Sequence, residues 1–409
     1  MPFVWNPPRA SVWRLPVNLL RLSASLCGLA VLAAPAFAAE AFTLKDGDRV
    51  VFVGGTLIER EQRYGYWEAA LTSRYPDKNI TFRNLGWSGD NVWGDARASF
   101  GTRADGFKAL KDHVLALNPT VIIIAYGGNE SFDGPAGLPK FVEGLNVLLD
   151  ALAPAKARIV LLAPLRQEDL GRPLPDPTAH NKDLLLYTGA LREAAKKRGL
   201  TFADMNEFLG DGPKAAPLTD DGLHLTGAGY WRSAFALEQA LGLPERHWRI
   251  DLDKKTVTEG VQLGKTGFTD AMLPLAAPPE DEPARPTPAG RILRYLHLAP
   301  GRYTVAIDKQ AVATTTAEGW ANGVTLTHGP DFDQAEQLRQ AIVAKNRLYF
   351  YRWRPANETY LFGFRKQEQG QNAIEIPKFD QLIVEKEKEI ARLRVPTPHI
   401  FSITRGTDK

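Results

Sequence analysis

The sequence predicts a doubly wound, three-layer α/β domain followed by a smaller α+β extension. Two observations carry the prediction. Five short apolar runs alternate with amphipathic stretches from residue 49 onward, the pattern of parallel strands joined by helical crossovers. The composition then changes after Leu243-Pro244, where a Pro-rich stretch precedes a more strand-like and aromatic tail. The balance of 44% hydrophobic and 24% charged residues over 409 positions is that of a folded globular chain. It is long enough for two domains and a sizeable core.

The strands are read in order. Residues 49–53 (Arg-Val-Val-Phe-Val) form an apolar run ended by Gly54-Gly55. Residues 66–74 read as helix, closed by Pro76. A second strand at 80–82 runs into Asn84-Leu85-Gly86. Residues 107–117 are helical. Val121-Ile122-Ile123-Ile124-Ala125 is wholly apolar and β-branched, as a strand covered on both faces requires. Helices at 141–152, 179–198 and 227–241 alternate with strands at 158–162 and 201–203. The α/β domain is assigned to 39–245, a linker or long loop to 246–290, and a C-terminal β-containing extension to 291–409. Within that extension 303–307 is a strand, 333–345 a helix and 347–364 an aromatic run expected to pack back on the α/β domain. Docking of a partner is the alternative for that run. Residues 379–393 are a charged helix with a solvated face supported by i,i+4 pairs.

Charge and cysteine usage both point to the N-terminus. The formal net charge is +3 and there is one cysteine. Residues 1–38 read as a secretory signal: Arg9, Arg14 and Arg21, then an apolar stretch, then Ala36-Phe37-Ala38 as a cleavage site. The apolar stretch is short for a membrane span of roughly 20 residues. Residues 1–38 hold three of the 50 Lys/Arg, none of the 47 Asp/Glu, and the cysteine, Cys27. The expected mature chain is therefore neutral and thiol-free, exported to the periplasm or outside the cell. Neutrality gives no support to nucleic-acid binding. The histidines outside the motifs below have no ligand spacing, so no metal is expected. No phosphate-cradling glycine loop is evident, so no cofactor is expected.

Three glycine-rich loops follow three strands: Gly54-Gly55-Thr56, Asn84-Leu85-Gly86-Trp87-Ser88-Gly89-Asp90 and Gly127-Gly128-Asn129-Glu130. Asp221-Gly222-Leu223-His224 closes the domain. This ordered set resembles the SGNH (GDSL-like) hydrolase superfamily over about residues 45–242. It is also similar to an exported bacterial branch of it, through Glu59-Arg60, Arg83-Asn84-Leu85-Gly86-Trp87-Ser88 and residues 354–364. The resemblance implies a flavodoxin-like α/β domain and hydrolysis of a carboxylic ester. His224 would be the base, Asp221 its orienter, and Thr56 the nucleophile. The backbone N–H groups of Thr56 and Gly89 and the amide of Asn129 would hold the oxyanion.

One position departs from the pattern. Thr56 stands where the family has serine, and Gly55 where it has aspartate. Threonine keeps the hydroxyl, but its methyl stiffens χ1 and crowds the approach to a carbonyl. Three readings stay open: Thr56 attacks, a neighbouring Ser88 or Ser131 replaces it, or catalysis is lost and glycan binding is kept. Glu59 and Arg60 could form an ion pair that shapes the pocket, and Trp87, Trp93 and Tyr126 could stack on a sugar ring. The substrate expected is a small-molecule or glycan ester, with an acetyl ester on a glycan as the guess.

Overall fold

The computed structural model describes residues 41–210, 216–252, 256–264, 267–279, 290–368 and 370–406. The proposed signal at 1–38 lies outside them. Strands β1 (Arg49–Gly54), β2 (Thr81–Asn84), β3 (Val121–Ala125), β4 (Arg158–Leu162) and β5 (Thr201–Ala203) form one sheet. Its order is β2-β1-β3-β4-β5 and every pairing is parallel. Alternate residues of β1 feed opposite cores. Val50 and Phe52 pack with helices α2 (Tyr66–Arg74) and α6 (Gly227–Ala240). Val51 and Val53 pack with α3 (Arg103–Ala116), α4 (Gly134–Leu152) and α5 (Thr178–Arg198). This is the three-layer, doubly wound fold read from the sequence. A further helix, α1 (Thr56–Tyr64), starts directly after β1. It was not assigned from sequence because its apolar face is only Leu57 and Ile58.

The segment after Leu243 differs from the expected linker. Its described part holds β6 (Trp248–Asp251), β7 (Thr256–Glu259), β8 (Val261–Leu263) and β9 (Phe268–Asp270). These strands run three or four residues, too short to show an alternation, and the nearby prolines dominate the composition. They are followed by β10 (Arg291–Arg294), β11 (Arg302–Ile307), β12 (Gln310–Thr316), α7 (Ala317–Asn322) and β13 (Val324–Leu326). Strands β6, β7, β10 and β13 share one sheet. Then come α8 (Pro330–Trp353), α9 (Glu358–Leu361), α10 (Phe379–Leu393) and β14 (Phe401–Arg405), which pairs with β11.

Helix α8 binds the tail to the α/β sheet. Ala335, Leu338, Ala341 and Ile342 join the core on one face, and Tyr349 joins the core on the other. The helix therefore crosses the edge strand β2. Lys345, 1% exposed, donates to the Phe82 carbonyl of that strand (3.1 Å) and to both oxygens of Glu68 (2.6 and 2.8 Å). An edge strand must be covered or charged, and α8 does both. Burial pushes the Glu68 carboxyl up and the Lys345 ammonium down, against their mutual attraction. The aromatic run divides. Tyr349 is buried and Trp353 packs on the domain, while Phe362 and Phe364 are exposed. Helix α10 buries Ile383, Ile390 and Leu393. Its charged run makes an i,i+3 pair, Lys386 with Glu389, and sends Glu387 to Arg83 of β2 (2.6 Å).

Two predictions follow from the tail. Removing one partner of a buried pair leaves an uncompensated charge. Lys345→Met is expected to cost about 3–5 kcal/mol by urea unfolding at neutral pH. The loss should shrink in acid, where Glu68 takes up a proton. His399 lies between Asp308 (2.6 Å) and Asp331 (2.9 Å). Burial lowers its pKa, but hydrogen bonds and charge from both carboxylates prevail and raise it from 6.5 to about 9. A raised folded-state pKa stabilises fully below pH 6.5 and is lost as pH climbs through about 9. The Tm of the native chain should fall across that window, and the Tm of His399→Gln should be flatter and lower at its acid end.

Candidate active site

The site is assembled at the C-terminal ends of the parallel strands, where doubly wound sheets place their ligand crevices. Backbone fit fixes its first two loops. A Cβ on Gly54 would stand 2.6 Å from the Ala125 carbonyl oxygen of β3. A Cβ on Gly86 would stand 2.1 Å from the Glu59 nitrogen. Glycine at 86 lets the loop after β2 lie directly on the first turn of α1, and glycine at 54 lets the end of β1 lie close against β3. Asn84 Nδ2 donates to the Ile58 carbonyl (2.6 Å), and the Trp87 N–H donates to Gly54 (2.9 Å). Thr56 is the first residue of α1. The N–H of a helix's first residue has no intrahelical acceptor and is free for an anion. Gly89 has φ +78°, a left-handed conformation that glycine adopts without strain.

The third loop follows β3. Asn129 donates its amide to the Asp90 carbonyl (2.9 Å) and lies beside Gly55. Glu130 accepts from the Val92 and Gly127 N–H groups (2.9 and 2.8 Å), which ties this loop to the second. Burial nevertheless leaves the Glu130 carboxyl raised. Asp90 is buried, accepting from Arg97 Nε and from the Tyr126 hydroxyl at 2.7 Å each.

His224 and Asp221 come from the loop before α6. The His224 Nδ1 lies 2.7 Å from Asp221 Oδ2, and Asp221 Oδ1 accepts from the Leu223 and His224 N–H groups (3.0 and 2.9 Å). Burial raises Asp221, but the imidazole and the two backbone donors outweigh it and hold the carboxyl below its usual range. An ionised Asp221 keeps the proton on Nδ1 and leaves Nε2 free to accept one. The turn itself is held by Glu168, whose Oε2 accepts from the Leu218 and Thr219 N–H groups and the Thr219 hydroxyl. The Thr226 hydroxyl then accepts from Gly229 N–H and caps α6 (3.1 Å).

A cleft of about 130 Å³ brings several of these residues together: Gly55, Thr56, Asp90, Asn129 and His224, with Leu57, Phe132, Pro164, Leu165, Leu184 and Leu223 as apolar wall. Among its lining residues only Thr56 and Tyr126 carry an aliphatic or phenolic hydroxyl, and the Tyr126 hydroxyl is spent on Asp90. Ser131 is fully buried and donates to the Gly128 carbonyl (2.7 Å). Ser88 donates to Glu59 (3.0 Å) and lies outside the lining. Among the described residues no hydrogen bond joins Thr56 to His224. Apo sites commonly show such gaps, which tighten with substrate.

Several expected neighbours stand elsewhere. Glu59 and Arg60 do not pair with each other. Glu59 meets Arg354 of the tail (2.7 Å), and Arg60 meets Asp220 beside the histidine loop. Trp87 lies against the Arg354 guanidinium, 3.6 Å from the ring centre, and edge-on to Trp353. Trp87, Glu59, Arg60 and Gly89 do not line the cleft. Trp93 packs against α4 at Gly144 and against Phe107. Tyr126 is buried rather than presented to a sugar.

Sequence reasoning passed over His180, Phe132 and Glu168. His180 lines the cleft, stacks on Phe132 (4.0 Å between centroids) and lies 2.8 Å from Ser131 Oγ. Burial lowers its pKa. Nothing in the local spacing of these three residues marks them. No group of three or more His, Cys, Asp or Glu placed to hold a metal ion occurs among the described residues. No described helix is long and apolar enough to cross a membrane.

The Gly86 contact can be tested alone. Gly86→Ala must push the loop off α1. It is expected to cost at least about 1–3 kcal/mol, read as a lowered urea midpoint with an unchanged slope.

No curated protein matches the chain. Among solved structures, a gut microbial diltiazem-metabolizing enzyme superposes with a TM-score of 0.67 at 17% identity, over 89% of this chain and 98% of that one. The shared fold thus extends into the tail. An α/β hydrolase from the metagenome of Lake Arreo, Spain, matches 49% of this chain and 98% of its own, at 19% identity and a TM-score of 0.41. An acetylxylan esterase from Geobacillus stearothermophilus covers 49% of this chain and 97% of its own, at 18% identity and a TM-score of 0.40. Residues 47–232, the five-stranded α/β unit with its three loops and histidine turn, match the model of the GDSL-like lipase/acylhydrolase family, a family of hydrolases acting on ester bonds.

Proposed function

We propose that this protein hydrolyses a carboxylic ester with Thr56 as nucleophile, His224 as base and then acid, and Asp221 as its orienter. The observation that carries the reading is the shared cleft. It holds one uncommitted hydroxyl, Thr56, together with a histidine whose Nδ1 is engaged by a carboxylate. The Thr56 N–H and the Asn129 amide, both on the cleft wall, would stabilise the tetrahedral oxyanion, and the Gly89 N–H on the adjoining loop would join them as the site tightens around substrate. The leaving alcohol takes its proton from His224, and water then attacks the acyl-threonine by the reverse route. A small cleft with apolar walls suits a short acyl group such as acetyl. Phe132, 60% exposed in the cleft lining and stacked on His180, would meet a sugar alcohol with its outer side. Residues 1–38 as an export signal would bring the enzyme to extracellular glycans. The second reading, a glycan binder with a silent nucleophile, draws on the added methyl of Thr56 and its missing bond to His224.

Hydrolysis of 4-nitrophenyl acetate separates the two. Thr56→Ala and His224→Ala are each expected to lower kcat/KM by about 10³-fold or more. Asn129→Ala should lower kcat by about 10²–10³. Thr56→Ser should match or exceed the native chain. Full activity in Thr56→Ala would remove the nucleophile assignment. Activity in Thr56→Ser alone would establish the binder.

A further inference from the structure

We propose that Arg354, at the C-terminal end of α8, is a positioning residue for the loop that carries Gly89, so that the C-terminal extension completes the oxyanion site. The inference rests on the ester-hydrolase reading of the cleft, but its geometry is independent of that reading. Glu59, 9% exposed, is the hub. One oxygen, Oε2, accepts from the Ser88 N–H (2.8 Å) and from Arg354 Nη1 (2.7 Å). The other, Oε1, accepts from the Ser88 hydroxyl (3.0 Å). The Ser88 N–H is thereby fixed toward α1, and the next peptide turns through the left-handed Gly89.

A carboxylate this covered needs a cation. The α/β unit's own nearby arginines are committed elsewhere: Arg60 to Asp220, and Arg97 to Asp90 and the Leu85 carbonyl. Arg354 comes from the tail instead. Its guanidinium also lies over the ring of Trp87, the residue before Ser88, at 3.6 Å from the ring centre. A planar cation on an indole face is a strong contact of its kind. Trp353 closes on the same indole edge-on (5.8 Å). The loop is thus gripped at two successive residues by the last turn of one tail helix. Arg354 does not line the cleft, and it acts through Ser88 and Gly89.

The test compares Arg354→Met, which keeps the stem and removes the charge, with Arg354→Lys. Arg352→Met, which loses only a surface pair with Asp380, is the control. Two readouts are taken on the full chain: hydrogen exchange of the amides of residues 86–90, and kcat and KM for 4-nitrophenyl acetate. Arg354→Met is expected to speed exchange in that loop selectively. It should lower kcat about tenfold, less than the 10²–10³ lost with an oxyanion donor itself, with KM within about twofold. Arg354→Lys should recover most of both, and Arg352→Met should change neither. Unchanged loop exchange in Arg354→Met, or exchange raised equally over the whole chain, would overturn the proposal. So would an unchanged kcat where the native chain is active. If the native chain hydrolyses no ester, the esterase reading falls and loop exchange alone decides the role of Arg354.

Discussion

The structure depends on one close approach, the backbone of the loop after β2 lying on the first turn of α1. Gly86 sits where any side chain would strike the Glu59 nitrogen at 2.1 Å. Because the two backbones touch, short bonds can join them, Asn84 to Ile58 and Ser88 to Glu59, while Trp87 bonds to Gly54 at the end of β1. That seam sets Thr56 and Gly89 on adjoining loops. The third loop then docks through Glu130 onto Val92 and through Asn129 onto Asp90. Preorganisation of this kind is what an oxyanion site requires, since donors must be in place before charge develops.

The extension serves this seam rather than standing apart from it. Helix α8 covers the edge strand β2 with Lys345 and fills both cores of the sheet. Its end delivers Arg354 to Glu59 and Trp87. One helix therefore fills both cores along its length and reaches the Glu59–Ser88 contact at its tip. The shared fold with a neighbour over 89% of the chain suits a tail that is integral to the architecture. The histidine turn is held separately, by Glu168, and is tied back to α1 by Arg60 and Asp220.

The α/β unit was readable because its signals are local. The run Val121–Ala125 is buried on both faces and needs no context to be seen as a strand. The three loops and the histidine turn announce themselves through glycine, asparagine and the three-residue spacing of Asp221 and His224. What was not readable depends on contacts far apart in the chain. Glu59 and Arg60 look like a pair in sequence, yet each finds its partner at a distance, in Arg354 and Asp220. Trp87 looks like a ligand platform, and a tail arginine occupies its face. The strands of 248–270 are too short to carry a period, so proline content misled the domain reading. His180 and Phe132 lie on separate elements and converge only in the fold.

The central claim is that Thr56 is the attacking group. The most direct measurement is peptide mapping of the native protein quenched in acid during turnover of an activated acyl ester. The account predicts an acyl group on the peptide containing Thr56, localised to its hydroxyl and absent from His224→Ala. An acyl group on Ser88 or Ser131, or steady hydrolysis with no acyl group trapped on Thr56, would contradict it.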